Sequence, residues 1–180
     1  MSHVALIQSA TTTAQRQALL APIQQAFGST PNMFSAVANS PAALSSMWAA
    51  FGALGKGVLG AQLGEQIAVA IAQSNACEYC LAAHTLLGKN AGLSAVQMAA
   101  AQAGQSADPK TAAALTFALK VVKQRAQVNE QDFAQLRSAG FEDEHIVEIL
   151  AHVALNIFTN YINIALDVPL DFPAIALNPV

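Results

Sequence analysis

The sequence predicts an all-α fold, and three observations predict it. No stretch of the 180 residues alternates apolar and polar positions long enough to make a half-buried strand. Alanine-rich apolar runs recur instead at helical spacing, divided by short joints such as Ala91-Gly92-Leu93-Ser94 and Ala139-Gly140-Phe141-Glu142, each a helix stop followed by a helix start. Prolines sit where helices begin, at Ser40-Pro41 and Asp108-Pro109, because the first turn has no use for the N–H that proline lacks.

Thr11 to Thr13 can cap a first helix running to about Phe27, with Ala18, Leu19, Ile23 and Phe27 on its apolar side and Pro22 expected to kink or shorten it. Gly28-Ser29-Thr30-Pro31-Asn32 is turn chemistry. The helix from Pro41 carries Leu44, Met47, Trp48, Phe51 and Leu54, and the glycines at 52, 55, 57 and 60 weaken it towards a loop. A run of Ala, Val and Ile from Leu63 to about Gln73 makes the next helix, whose one charge is Glu65. Ser74-Asn75-Ala76 interrupts it, and a new helix begins at or just before Cys77. That helix stops near Gly92, and Ser94 with Gln97 fits a capping box for its successor. Asp108-Pro109 opens a helix to about Ala126, Asn129 caps a short one closing at Gly140, and Asp143 to about Leu166 is the last and longest. Asp167 to Pro173 reads as an extended tail.

The chemistry is concentrated between Glu65 and His84. Both cysteines of the chain lie there, as Cys77-Glu78-Tyr79-Cys80, with His84 four residues beyond the second. On a helix, Cys77, Cys80 and His84 line one face, so an imidazole stands where it can take the proton of the Cys80 thiol. A thiol in the first turn also meets unpaired N–H donors and the positive end of the helix dipole, which favour its thiolate. A second thiol one turn away can condense with an oxidised first one before over-oxidation, which is what a thiol peroxidase needs. Glu65, folded back on the preceding helix, is placed to orient His84 or relay a proton. A carboxylate among Ala and Ile would be costly without such a partner.

Composition narrows the function classes. Hydrophobic residues make up 54 % of the chain and charged residues 11 %, against roughly 25 % charged in an average soluble protein. Such a surface is short of charge, which predicts helical faces buried between subunits of a symmetric homo-oligomer. No uncharged apolar run of about 20 residues exists to span a membrane, and Met1 to Arg16 lacks the form of a signal peptide, so a cytoplasmic location is expected. Two cysteines in one short motif are no framework for a secreted fold; in a reducing compartment they mean redox chemistry or metal. A net charge of −3 with no basic cluster argues against nucleic acid. One domain over residues 1–180 is expected.

The pattern of Glu65, Cys77, Cys80 and His84, namely Glu, eleven residues, Cys, two residues, Cys, three residues, His, resembles the core of the AhpD-like alkylhydroperoxidases of the carboxymuconolactone decarboxylase superfamily. The resemblance covers about residues 41–127. The GSTPNMF stretch before it and NIFTNYINIALDVPLDFP, within the C-terminal part at 129–180, are similar to the peroxidase-related branch. It implies a multi-helix orthogonal bundle assembled as a trimer or hexamer, with no cofactor, that reduces an organic hydroperoxide or hydrogen peroxide and is recycled by a lipoyl- or thioredoxin-like thiol or dithiol reductant. It also implies that Cys80 is peroxidatic, Cys77 resolving, His84 the base and Glu65 part of a proton relay, although the helix dipole alone favours Cys77 as the more acidic thiol. Where the founding AhpD group has histidine before the second cysteine, this chain has Tyr79, a hydrogen-bond donor but a poor base near neutral pH. A shorter relay or weaker turnover is the expected result.

Plainer readings stand beside these. The cysteines fit small buried hydrophobes, or three zinc ligands with His84 and a fourth from Glu65. His152 reads as a hydrogen-bonded core histidine, His3 and His145 as surface residues, and Trp48, Phe51 and Phe117 as core rather than substrate box, with an apolar approach to the thiols as their alternative role. Asn156, Asn160, Tyr161 and Asn163 suggest a polar network at a subunit interface. Two other function classes remain: a decarboxylase or lactone-processing enzyme, which the cysteine pair disfavours, and a redox-switch oligomer without turnover.

Overall fold

The computed structural model describes residues 2–179, and among them every regular element is helical. After a 3-10 turn at Ser9–Thr11 come α1 (Ala14–Phe27), α2 (Asn32–Val37), α3 (Pro41–Leu54), α4 (Gly60–Ser74), α5 (Glu78–Asn90), α6 (Ala95–Gln102), α7 (Pro109–Lys123), α8 (Glu130–Ser138) and α9 (Asp143–Ala165). The helix starts follow the local chemistry. Thr13, Ser40, Ser94, Asp108 and Asn129 each accept a backbone N–H of the first turn of the helix they precede. Gly92 and Gly140 adopt left-handed backbone at the two stop-start joints, a conformation that costs little without a Cβ.

The bundle is built around α4. Every residue from Gln66 to Ala72 is buried, so this helix is apolar all round and packs against α5, α6, α7 and α9 together. Its alanines let the neighbours approach closely, while Ile67, Val69 and Ile71 fill the spaces between them with no exposed surface. A tight joint at Asn75 and Ala76 then reverses the chain into α5. Ala76 is left-handed, with φ 55°, a conformation costing a non-glycine residue about 1–2 kcal/mol. The Asn75 amide donates to Asn160 Oδ1 at 3.0 Å, which anchors the joint to α9. This reversal brings the start of α4 alongside the middle of α5.

Four features depart from the sequence expectations. α1 continues across Pro22 as one element. Residues following the predicted turn form the short helix α2, all but its first residue buried. α4 starts at Gly60, three residues early, because Glu148 of α9 reaches back to accept the N–H groups of Val58 and Leu59 at 2.9 and 3.0 Å. Finally, the extended tail is tied down: Asn32 N–H donates to Asp171, Asn178 N–H donates to Gln73, and the Gln102 amide donates to the carbonyl of Ala176. No helix among the described residues is long and apolar enough to cross a membrane.

Candidate active site

Cys77 is the N-cap of α5, its Sγ accepting the backbone N–H of Cys80 at 3.2 Å. It is joined to Cys80 by a disulfide, with Cα atoms 5.3 Å apart. Both residues are buried, at 1 % and 2 % exposure. One turn further along α5, His84 Nδ1 meets Glu65 Oε2 of α4 at 2.8 Å. A carboxylate oxygen accepts, so Nδ1 carries the hydrogen and Nε2 is left as the free, basic nitrogen. The antiparallel packing of α4 on α5 thus collects Glu65, Cys77, Cys80 and His84 in one place.

Tyr79 lies on another network. Its hydroxyl accepts the buried backbone N–H of Met33 at 3.1 Å and donates to Asp171, and burial together with that carboxylate raises the phenol well above the ordinary tyrosine range. Its ring packs edge-on to Phe172 with centroids 5.5 Å apart. Tyr79 therefore binds the tail to α2 and α5, and it is no base.

Cys80 and His84 open onto a chamber of about 200 Å³. Phe27, Phe34, Trp48, Phe51 and Phe172 form most of its apolar wall, with Phe34 at the centre of a ring cluster: Phe27, Trp48 and Phe51 stand 5.8, 5.7 and 6.0 Å from it. Trp48 and Phe51 are thus chamber wall as well as packing, whereas Phe117 stacks on Phe133 in the core. Cys77 does not reach this space. A second chamber of about 140 Å³ lies against Glu65 and His84 and is lined also by Gly64, His152 and Asn156, so the Glu65–His84 pair is a wall common to both.

His152 differs from the sequence expectation, because its Nε2 is buried with no hydrogen-bond partner. Burial pushes its pKa down, against the opposing pull of Glu148 and Glu65 and with the nearby His84 adding to the depression. The α9 asparagines also differ. Asn156, Thr159, Asn160 and Asn163 recur at helical spacing on the face turned inward, each at most 4 % exposed, while Tyr161 is exposed. Within the chain itself Asn163 Nδ2 donates to Cys80 Sγ at 3.2 Å. That contact was missed in the sequence; the i, i+3, i+4, i+7 spacing of four polar residues in an apolar helix was the available signal. Among the described residues no group of three or more His, Cys, Asp or Glu side chains is arranged to hold a metal ion.

The site is thus a buried disulfide at the start of one helix with a carboxylate–histidine pair beside it, set in an all-helical bundle. Residues 41–124 of the chain match the model of the carboxymuconolactone decarboxylase family. Its fold is similar to the alkylhydroperoxidase AhpD core of a peroxidase-related protein from Ralstonia eutropha JMP134, with a TM-score of 0.86, 27 % identity, and coverage of 94 % of this chain and 92 % of that one. A peroxidase-related protein from Silicibacter sp. TM1040 gives a TM-score of 0.82 at 25 % identity, covering 97 % and 92 %. The debrominase Bmp8 shares the fold, with a TM-score of 0.74 at 22 % identity over 88 % and 87 % of the chains. None of the curated proteins matches the sequence significantly.

Proposed function

We propose that the chain is a thiol-dependent peroxidase in which Cys80 is the attacking thiol and Cys77 the resolving one. The observation that carries the reading is the joining of Cys77 to Cys80 at the start of α5, with Cys80 alone of the two lining the chamber. The reduced Cys80 thiolate attacks the terminal oxygen of a hydroperoxide, forming an S–O bond as the O–O bond breaks. The electron pair leaves on the alkoxide, or on hydroxide from hydrogen peroxide, which takes a proton from the site. His84 Nε2 is the group for that proton: it removes it from the Cys80 thiol and returns it to the leaving oxygen, with Glu65 holding the tautomer. Cys77 sulfur then attacks the sulfenic acid, water leaves, and the disulfide closes. A thiol or dithiol reductant, lipoyl- or thioredoxin-like, supplies the two electrons that reopen it. No metal or cofactor enters the scheme.

Two further parts of the reading rest on surface chemistry. The outer face of α9 carries exposed Val147, Tyr161 and Ile164, an apolar stripe that suits burial in a homo-oligomer, a trimer or hexamer. A disulfide that must be re-reduced in each cycle suits the cytoplasm.

The aromatic wall favours a second reading, reductive dehalogenation of a small halogenated ring. The dithiol would supply two electrons, carbon–halogen would become carbon–hydrogen, and halide would leave. The decisive experiment is single-turnover oxidation of the reduced protein by cumene hydroperoxide and hydrogen peroxide, with disulfide formation read by mass. Fast closure, abolished in Cys80→Ser and arrested as a sulfenic acid in Cys77→Ser, is the expected result. Oxidation no faster than that of free thiols, alongside halide release from a bromopyrrole, would transfer the assignment to dehalogenation.

A further inference from the structure

Asn163 has two polar ends and the fold accounts for one of them. Its Nδ2 donates to Cys80 Sγ at 3.2 Å, while its Oδ1 is fully buried without a partner, although the residue lines the chamber into which Cys80 opens. A buried carbonyl oxygen left unpaired is costly, and its persistence calls for a reason in the working cycle. Two other polar groups lining the chamber are already engaged: Tyr79 by Met33 and Asp171, and Glu65 by His84. With His84 Nε2 given to proton transfer, Asn163 Oδ1 is an unengaged acceptor among the residues lining the chamber, and it stands on the side chain that touches the reactive sulfur.

We infer that Asn163 is a catalytic residue with a divided role: its Nδ2–H group holds the Cys80 thiolate, and its Oδ1 accepts the O–H of a hydroperoxide whose apolar organic group fills the aromatic chamber. This rests on the peroxidase reading and narrows it to hydroperoxides bearing a bulky apolar substituent. The logic is geometric. A sulfur that accepts an N–H when oxidised accepts it more strongly once it carries negative charge. A hydroperoxide has one hydrogen, on the oxygen that the thiolate must attack. Anchoring that hydrogen to Oδ1 places the attacked oxygen beside the sulfur held by the same amide, and the O–O bond then breaks away from Asn163 towards the group in the chamber. Hydrogen peroxide can make the same bond, yet it leaves the aromatic wall empty and gains nothing from it.

The test uses Asn163→Leu, which keeps the volume and removes both polar ends, and Asn163→Asp, which removes the donor and keeps an acceptor. Circular dichroism and thermal unfolding check that both variants fold. Two readouts follow, the Cys80 thiolate titration in a Cys77→Ser background, followed by ultraviolet absorbance, and the single-turnover rate constant for Cys80 oxidation at a pH where the thiol is fully ionised. Both variants are expected to raise the Cys80 titration midpoint by about one pH unit. Asn163→Leu is expected to slow cumene hydroperoxide at least about tenfold at full ionisation, with a smaller effect on hydrogen peroxide. An unshifted midpoint overturns the thiolate contact. An unchanged rate at full ionisation, or equal losses for the two peroxides, overturns the substrate contact. If the wild-type protein does not react with peroxide, the peroxidase reading and the hydroperoxide contact fall together, while the titration still decides the thiolate contact by itself.

Discussion

Glu65 Oε2 and His84 Nδ1 lie 2.8 Å apart across nineteen residues of chain, and the pair divides an aromatic chamber from a smaller one lined also by His152 and Asn156. The carboxylate sets which imidazole nitrogen is basic, and its removal should therefore be felt at the sulfur without touching it. Glu65→Gln keeps an acceptor oxygen but loses the carboxylate charge beside the imidazole. It is expected to slow peroxide-driven oxidation of Cys80 by about 10- to 100-fold, read by stopped-flow, with the helical circular dichroism unchanged. An unaltered rate would remove Glu65 from the relay.

Tyr79→Phe deletes the hydroxyl that accepts Met33 N–H and leaves a buried donor unpaired. The expected loss is about 1–3 kcal/mol of folding stability in urea denaturation, with thiol oxidation largely retained. The phenol is shifted upward by burial and Asp171, so in a Tyr161→Phe background no phenolate signal should appear at about pH 10, where a free tyrosine is half ionised.

His152 makes stability depend on pH in a definite direction. Its pKa is lowered in the fold, chiefly by burial. At a pH below the unfolded value of about 6.5, the unfolded chain binds a proton that the folded chain refuses. Stability from this residue is thus present at neutral pH and falls as the pH drops below about 6.5, until the folded histidine also protonates. Denaturation of wild type and His152→Gln at intervals from pH 5 to 8 should show a shallower decline in the variant. Parallel curves would contradict the depressed pKa.

Glu148 fixes the lead into α4 from the other end of the sequence, and Gly57 gives it room: a Cβ at Gly57 would overlap the Glu148 carboxylate. Glu148→Ala is expected to cost about 1.5–3 kcal/mol, the range for hydrogen bonds to a charged group. Gly57→Ala should be destabilising by displacing the same carboxylate. The double variant should cost less than the sum of the two, because both remove one contact. Additive losses in denaturant titrations would show that Gly57 serves a different purpose.

What the sequence disclosed and what it hid divide along a physical line. Thr13, Ser40, Ser94, Asp108 and Asn129 cap helices through their own first turns, and those starts were legible because cause and effect lie within three residues. α2 was not legible: its N-cap, Pro31, supplies no side-chain bond, and the N–H of Asn32 is satisfied by Asp171, 139 residues away. The early start of α4 escaped for the same reason, its lead-in being held by Glu148. Within the site, the spacing of Cys77, Cys80 and His84 on one helix is local, and the glutamate was conspicuous as a lone charge. Asn163 looked like an interface residue, since a polar row on a helix does not say what it faces; only the packing of α9 on α5 turns it to Cys80.

The distance between Cys80 and Asn163 along the chain, 83 residues, has a meaning in time. Synthesis at about 5–20 residues per second separates the appearance of the two by about 4–17 s. Phe172, which closes the chamber wall, follows later still. During that interval the cysteines of a growing chain have their histidine and glutamate but neither the amide nor the closing ring. Reactivity towards peroxide would then be acquired late, as a property of the finished chain, and a nascent polypeptide would be spared a chemistry it has no means to complete.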